Sequence, residues 1–208
     1  MTWGAMEASH VLGVCVFYLG GFLRRVAAGY SYATPVRYAD DFVILCRTRE
    51  EAEQALAFVT GLVEARGLQM HPDKTRVVDA TLSGGFDFLG YHFERGKHWP
   101  RATSRAKFYD NVRSRTPRSS GQSLEAIIKK LNYFLRGWFN YFKHSYRTTY
   151  APLDGFVRRR LRSILRKRRG WYGMSRGCGA DHQRWPNSFF TKLGLFDLKT
   201  AHATARQL

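Results

Sequence analysis

The sequence has little of three features that would each define a class of protein: pairable cysteines, membrane-length apolar runs and, in its second half, acidic residues. Its three cysteines, Cys15, Cys46 and Cys178, are an odd number without a short pairing interval. This usage favours a reducing compartment and argues against a disulfide framework. His182 follows Cys178 by four positions, but a zinc site needs more ligands than this region offers.

The one membrane-like stretch, residues 11–23, is too short to span a bilayer and is interrupted by glycines. Glu7 is the only charged residue before it, so we do not expect a signal peptide. We therefore expect a buried segment, no membrane association and a cytoplasmic location, near the nucleoid if the source is bacterial.

Acidic residues are scarce only beyond residue 94. Residues 1–94 contain 8 Lys or Arg and 11 Asp or Glu, whereas residues 95–208 contain 26 and 5. A strongly basic surface binds nucleic acid because neutralising phosphates releases counterions. A solvated basic surface or a membrane-facing patch would have the same charge. The aromatic residues interleaved with the cations favour nucleic acid.

The apolar patterning predicts an α+β fold in the first half. Two β-prone runs within residues 34–45 flank Ala39, Asp40 and Asp41 and are typical of a hairpin. Thr48 and Glu51 have capping-box spacing and predict the start of a helix that ends near Gly67. Further strands are expected around residues 68–78 and 86–93. Residues 34–95 thus form one module, and residues 1–33 remain unassigned.

The second half is predicted to be helical after a basic linker at residues 96–122, which is rich in Arg, Ser, Thr and Pro. Residues 123–208 form the helical domain. Apolar residues recur at helical spacing over 124–142, and a second amphipathic helix begins near Pro152. Residues 170–186 are expected to be irregular, and short helices are expected over 188–195 and 198–205.

Asp40 and Asp41 are the candidate metal ligands. Phosphoryl transfer to a nucleic-acid strand uses divalent metals held by carboxylates, and a hairpin tip can project adjacent Asp side chains toward such a site. Asp is also a common turn residue with a purely structural role, so the pair by itself does not establish a site.

Five segments, taken in order, give a more specific indication. Residues 36–45 read Val-Arg-Tyr-Ala-Asp-Asp-Phe-Val-Ile-Leu, and residues 131–142 read Leu-Asn-Tyr-Phe-Leu-Arg-Gly-Trp-Phe-Asn-Tyr-Phe. Together with residues 67–75, 85–93 and 184–196, they resemble the conserved blocks of group II intron reverse transcriptases/maturases. The hairpin is common to many reverse transcriptases. The Arg-Gly-Trp-Phe-Asn-Tyr block resembles only the maturase, or X, domain of this branch.

The resemblance implies a partial reverse-transcriptase palm followed by an α-helical thumb and maturase domain. It implies that Asp40 is a catalytic Mg²⁺ ligand and Asp41 a weaker one, provided that the chain is catalytic. Roles close to the primer or the incoming nucleotide would then fall to Tyr38, Lys74, Phe88, Leu89 and Gly90.

The basic domain is expected to contact structured group II intron RNA, and it could also contact a DNA target or primer. Its cations would contact phosphates, and its aromatic rings would stack on bases. The candidate RNA-binding residues are Arg136, Arg147, Arg158, Arg159, Arg160, Arg166, Lys167, Tyr141 and Trp171.

The same resemblance implies that catalysis requires more than these segments, because a palm needs another Asp from an earlier strand and the fingers that bind template. The 35 residues before the hairpin do not resemble those segments. Three hypotheses follow. The chain could be a truncated maturase that binds intron RNA without synthesising DNA, a polymerase complemented by a separate fingers/palm chain, or a non-functional intron remnant.

Overall fold

The computed structural model describes residues 13–18, 34–38, 41–65, 67, 69–71, 75–170 and 179–207. The chain divides into two units. The first comprises Met1–Phe88 and His92–Lys97, and the second comprises Leu89–Tyr91 and His98–Leu208. The fold class is α+β, as the sequence predicts.

A four-stranded sheet forms the first unit. Its strands are β1 (Gly13–Tyr18), β2 (Thr34–Tyr38), β3 (Asp41–Cys46) and β4 (Arg76–Asp79), in the order β2-β3-β1-β4. The predicted hairpin is the antiparallel pair β2–β3. β1 runs parallel to both β3 and β4. Residues 1–33, which the sequence left unassigned, therefore supply an interior strand of this sheet.

Helix α1 (Arg49–Glu64) connects β3 to β4. These two strands run in the same direction, so a tight turn cannot join them. The helix begins at the predicted cap, where Thr48 Oγ1 accepts a hydrogen bond from the Glu51 amide at 3.2 Å. The Glu51 carboxylate accepts from the Arg47 amide at 2.9 Å. Gly67 follows the helix at a φ of 70°, in the left-handed region that favours glycine. The predicted start and end of this helix are confirmed.

Strand β3 is covered on both faces, as its continuous apolar run predicts. Ile44 and Cys46 are buried in a cluster with Ala52 of α1. Val43, on the opposite face, is buried with Ala80 and Phe86. This double burial fixes the strand that begins at Asp41.

Residues 86–100 form a second, three-stranded sheet in the order β5-β6-β7. Its strands are β5 (Phe86–Phe88), β6 (Tyr91–Glu94) and β7 (Lys97–Pro100). The last strand lies in the expected linker, and so does helix α2 (Ala102–Arg115). Phe108 and Val112 of α2 lie one helical turn apart and are buried in the core of the second unit. The prediction of a linker at 96–122 is thus wrong for its first 20 residues, because two apolar side chains anchor an otherwise polar helix.

The second unit is built on α3 (Leu124–Phe142) and α4 (Tyr150–Arg168), joined through a short 3₁₀ turn, Arg147–Thr149. Three shorter helices follow: α5 (Gly179–Arg184), α6 (Asn187–Lys192) and α7 (Leu198–Ala205). The helix predicted over 124–142 is confirmed to the residue. The tail expected to be irregular contains α5, so that expectation is wrong for residues 179–184.

One hydrophobic core holds these helices together. Leu131 and Leu135 of α3, Leu161 and Ile164 of α4, and Leu198 of α7 are each fully buried. Within the described ranges, no helix is both long enough and apolar enough to cross a membrane.

Candidate nucleic-acid interface

The hairpin places one of the two predicted carboxylate residues at the end of the sheet. Asp41 is the first residue of β3, and its backbone pairs with Tyr38, the last residue of β2. Ala39 and Asp40, which join the two strands, lie outside the described residues. The Tyr38 side chain is 65% exposed, so it is accessible to a ligand at this end of the hairpin.

The neighbouring strand offers no side-chain ligand beside Asp41. In the parallel register of β1 and β3, Asp41 is opposite Gly13. Carboxylate oxygens suit Mg²⁺ in kind, but a catalytic pair of metals needs more than one carboxylate-bearing strand. Among the described residues, no three His, Cys, Asp or Glu side chains lie close enough to hold a metal ion. The carboxylate of an Asp is therefore a suitable kind of ligand for Mg²⁺, but the residue opposite Asp41 on β1 does not supply a second one.

The residues predicted to lie near the primer fall into different surroundings. Lys74 lies outside the described residues. Phe88 packs against the buried cluster of Val43, Ala80 and Phe86 in the first unit. Its expected packing role is confirmed, and its contact with a primer stays a prediction.

Leu89 and Gly90 belong to the second unit, and their carbonyl groups accept hydrogen bonds from other residues of that unit. The Tyr141 hydroxyl donates to the Leu89 carbonyl at 2.8 Å. The Gly90 carbonyl accepts from Ser104 Oγ and from the Arg101 amide, both at 2.9 Å. Gly90 has a φ of 79°, and a Cβ there would lie 3.3 Å from Ser104 Oγ. This close approach explains the glycine without reference to a ligand.

Helix α3 carries an exposed stripe opposite its buried face. Lys129, Tyr133, Arg136, Asn140 and Lys143 recur at helical spacing and are all exposed, with Tyr133 at 72%. We call these five residues the α3 stripe. Residues 126–153 contain no Asp or Glu. Glu125, exposed in the first turn of α3 and four positions before Lys129, is the one acidic residue of this helix. The Arg136 guanidinium lies 4.7 Å from the centre of the Phe196 ring, which holds this cation in place.

Several cations of α4 are engaged within the protein rather than arrayed on an open face. Arg158 forms an ion pair with Asp197, and Arg166 forms one with Asp181, both at 2.8 Å. The Arg160 guanidinium donates to the Thr116 carbonyl at 2.7 Å. Further down the helix, Lys167 donates to Ser119 Oγ at 2.7 Å, and Arg168 donates to the Gln122 carbonyl.

The cations of α4 also differ in how far their side chains are buried. Arg166 is only 8% exposed, and burial lowers the pKa of Arg160. Arg159 is exposed, as is Arg147 in the 3₁₀ turn. Of the predicted RNA-binding residues, Arg136, Arg147, Arg159 and Lys167 therefore present exposed cations. Trp171 lies outside the described residues. All of these RNA contacts stay predictions.

Sequence reasoning missed Lys129, Tyr133 and Lys143 of the stripe. The sequence does contain a pattern that predicts them: residues 126–153 have no Asp or Glu, and the spacing of the apolar residues of α3 shows which face of the helix is buried. It also missed the three buried or half-buried carboxylates Asp154, Asp181 and Asp197, which anchor helices and arginines. Asp181 pairs with an arginine 15 residues away, Asp197 with one 39 residues away, and Asp154 accepts from an amide 45 residues away, so no local pattern marks these three contacts. The bond that Asp197 accepts from the Thr200 amide, three residues on, is in contrast a local capping contact.

Two family matches coincide with the two parts of the chain. Residues 13–93 match the family described as reverse transcriptase (RNA-dependent DNA polymerase). Residues 105–179 match the family described as group II intron, maturase-specific domain. No curated protein matches the chain.

A reverse-transcriptase segment followed by a maturase-specific segment defines a class of intron-encoded proteins, and the two matches together cover about three quarters of the chain. The chain belongs to the group II intron reverse transcriptase/maturase family. The first match includes β1, and the second begins inside α2, so both corrections to the predicted domain limits agree with the family matches.

Proposed function

We propose that this chain binds structured group II intron RNA through the α3 stripe and that the 208-residue chain alone does not synthesise DNA. The observation that carries the first part is the acid-free, exposed stripe, which places three cations and one tyrosine on one face of a well-packed helix. Cations position an RNA backbone, and an exposed ring can stack on an unpaired base.

The second part rests on the donor set of the hairpin. Asp41 begins β3, but the residue opposite it on β1 is glycine. Glu7 is the only other acid before the hairpin in this sequence. A polymerase site would need a further carboxylate, which a separate fingers/palm chain could supply. Mg²⁺, when bound, would neutralise charge on the transferred phosphates, and Asp40 and Asp41 are the residues that would hold it.

The RNA-binding proposal is tested with paired charge variants of the full chain. We expect Lys129→Gln/Lys143→Gln to weaken binding to a folded intron RNA roughly tenfold at low salt and to reduce the salt slope by about 2, one for each lost phosphate contact. The matched control is Lys192→Gln/Lys199→Gln, which removes two exposed cations outside the stripe. Equal losses for both double variants would show non-specific attraction and would contradict the proposal. Binding that does not distinguish folded from unfolded RNA, without any effect on splicing, is the result expected of a remnant.

The same full-length protein tests the second part of the proposal, that the chain alone does not synthesise DNA. We expect no primer extension on an RNA template with Mg²⁺ from the wild-type chain alone. Extension that is abolished by Asp40→Asn but kept by Asp110→Asn, which removes an exposed carboxylate of α2, would overturn this half of the proposal. Extension only after addition of a separate fingers/palm chain would support the complemented polymerase.

A further inference from the structure

A cavity of about 410 Å³ lies within the second unit, beside α4 and the segment that contains α5 and α6. Its volume falls in the range of small-molecule sites, which runs from about 300 to 1,000 Å³. Its lining includes four arginines and one carboxylate residue, together with an aromatic ring and an amide: Arg158, Arg159, Arg162, Arg166, Asp181, Phe156 and Asn187. A cavity with this lining favours an anionic ligand.

The cations of this cavity are not all neutralised by the protein. Asp197 pairs with Arg158, and Asp181 pairs with Arg166. In the part of the chain that the structure describes, no carboxylate forms an ion pair with Arg159 or Arg162. The lining therefore carries about two positive charges in excess of its carboxylate partners, and a bound anion would offset them.

Arg162 has the features of a pre-positioned anion donor. It is 4% exposed, and two bonds of 2.9 Å fix its guanidinium, from Nε to the Trp185 carbonyl and from Nη2 to Asn187 Oδ1. A guanidinium has five N–H donors, and these bonds use two of them. Burial lowers the pKa of Arg162, and the nearby Arg158 adds to this effect, because both make the charged form less favourable.

Arg159 completes the cationic pair from the exposed side of the cavity. Its guanidinium lies 5.4 Å from the centre of the Phe156 ring, a contact that limits where the long side chain can reach. An arginine fixed by buried hydrogen bonds and a second one at the opening would together hold a tetrahedral oxyanion in a directional way.

We infer that this cavity is a phosphate-binding site for a nucleotide, with Arg159 and Arg162 as its principal donors. The inference rests on the proposed RNA-binding function and adds a second site to it, on α4 rather than α3. The phosphate would belong either to bound RNA or to a free nucleotide, and the chemistry of recognition is the same in both cases.

The first experiment compares melting temperatures of the full-length chain with AMP, inorganic phosphate and adenosine at equal millimolar concentration and ionic strength. AMP and phosphate are expected to raise the melting temperature and adenosine is not, because only ligands that bind the native state through phosphate stabilise it. Equal effects of AMP and adenosine, or no effect of AMP, would overturn the inference.

Matched variants locate the site. Arg159→Gln is expected to weaken AMP binding about tenfold, since hydrogen bonds to charged groups are lost, and Arg159→Lys is expected to restore part of it. Arg169→Gln is the control, because Arg169 is also exposed and also lies over an aromatic ring, that of Trp185, but does not line the cavity. Equal losses in Arg159→Gln and Arg169→Gln would contradict the assignment.

A competition measurement identifies the source of the phosphate. If AMP at saturating concentration displaces intron RNA, the cavity holds a phosphate of the RNA. If AMP binds without displacing RNA, the cavity takes a free nucleotide. If the cavity does not bind AMP, RNA binding by the α3 stripe is unaffected. If instead the RNA-binding proposal is wrong, the wild-type chain has no affinity for RNA although AMP still raises its melting temperature.

Discussion

Asp154 is a buried carboxylate that holds the start of the last helix. Its two oxygens accept hydrogen bonds from the Leu198 and Lys199 amides, at 3.0 and 2.9 Å. The first amides of a helix have no carbonyl partner of their own, so this side chain of α4 satisfies two donors of α7. Arg158 strengthens the same junction through its ion pair with Asp197, the residue that caps α7.

This junction should respond to pH in a defined direction. Burial raises the pKa of Asp154 to about 6 from an ordinary value of 3.8, despite the two amide bonds that lower it. Between these values the native state binds the proton more tightly than the unfolded chain, so the contribution of Asp154 to stability is greatest at low pH and is lost as pH rises. We expect the unfolding free energy of the wild type to fall relative to that of Asp154→Asn by roughly 2 kcal/mol between pH 4 and pH 7.

Urea denaturation of both proteins across this pH range measures the effect. His202 is buried and has a lowered pKa because of that burial, but it is present in both proteins and its titration cancels in the difference. A wild type that gains stability relative to Asp154→Asn with rising pH would show that the amide bonds outweigh burial at this carboxylate.

The end of α2 is stabilised by a cation from another helix. Thr116, the C-cap residue of α2, is fully buried, and its carbonyl and hydroxyl oxygens accept from Arg160 at 2.7 and 3.1 Å. The Thr116 hydroxyl in turn donates to the Val112 carbonyl at 2.6 Å. Arg160 thereby supplies hydrogen bonds to oxygen atoms at the end of α2 that would otherwise be buried without partners.

Arg160→Gln is therefore expected to lower the unfolding free energy by about 1–3 kcal/mol, because it leaves the Thr116 carbonyl buried without its charged donor. Arg159→Gln, the adjacent exposed position, is expected to change it by less than about 0.5 kcal/mol. Chemical denaturation of the two variants without ligand gives the comparison. If Arg160→Gln left stability unchanged but weakened RNA binding, Arg160 would face RNA as the sequence predicted.

Elements with a strong local pattern could be predicted from the sequence, and those defined by distant partners could not. Helix α3 was found because its apolar residues repeat without interruption over residues 124–142. Strand β1 was missed because its residues pair with residues 28 and 61 positions further along the chain, in β3 and β4. Helix α2 was missed because only Phe108 and Val112 mark its buried side in a polar segment.

The candidate site divides in the same way. The excess of cations beyond residue 94 was visible in the composition. Which cations remain exposed was not, because the partners of Arg160 and Arg162 include the backbone carbonyls of Thr116 and Trp185. Every residue type has a carbonyl, so the sequence carries no signature of such a partner.

At the scale of the whole molecule, the second unit has the larger buried core among the side chains that the structure describes. Seventeen buried residues form the core cluster of the second unit, whereas the first unit has two clusters of three buried residues each among those described. Because buried apolar area is the main favourable term in stability, the second unit should be the more stable one.

Hydrogen exchange at increasing urea concentration tests this difference. We expect amides of β3 and α1 to exchange at least about tenfold faster than those of α3 at a concentration where α3 is still protected, because the two units open separately. Exchange of both units at one rate and with one urea dependence would indicate a single cooperative unit. Peptide-resolved mass spectrometry distinguishes the two outcomes.

The interior position of β1 also has a consequence for synthesis on the ribosome. β1 leaves the ribosome before both of the strands that flank it, and β4, the later of these, ends at Asp79. Until then at least one edge of β1 has no sheet partner, and an unpaired edge can associate with other chains. The nascent sheet must therefore close around β1, and the emergence of β4 sets the first moment at which β1 is paired on both sides.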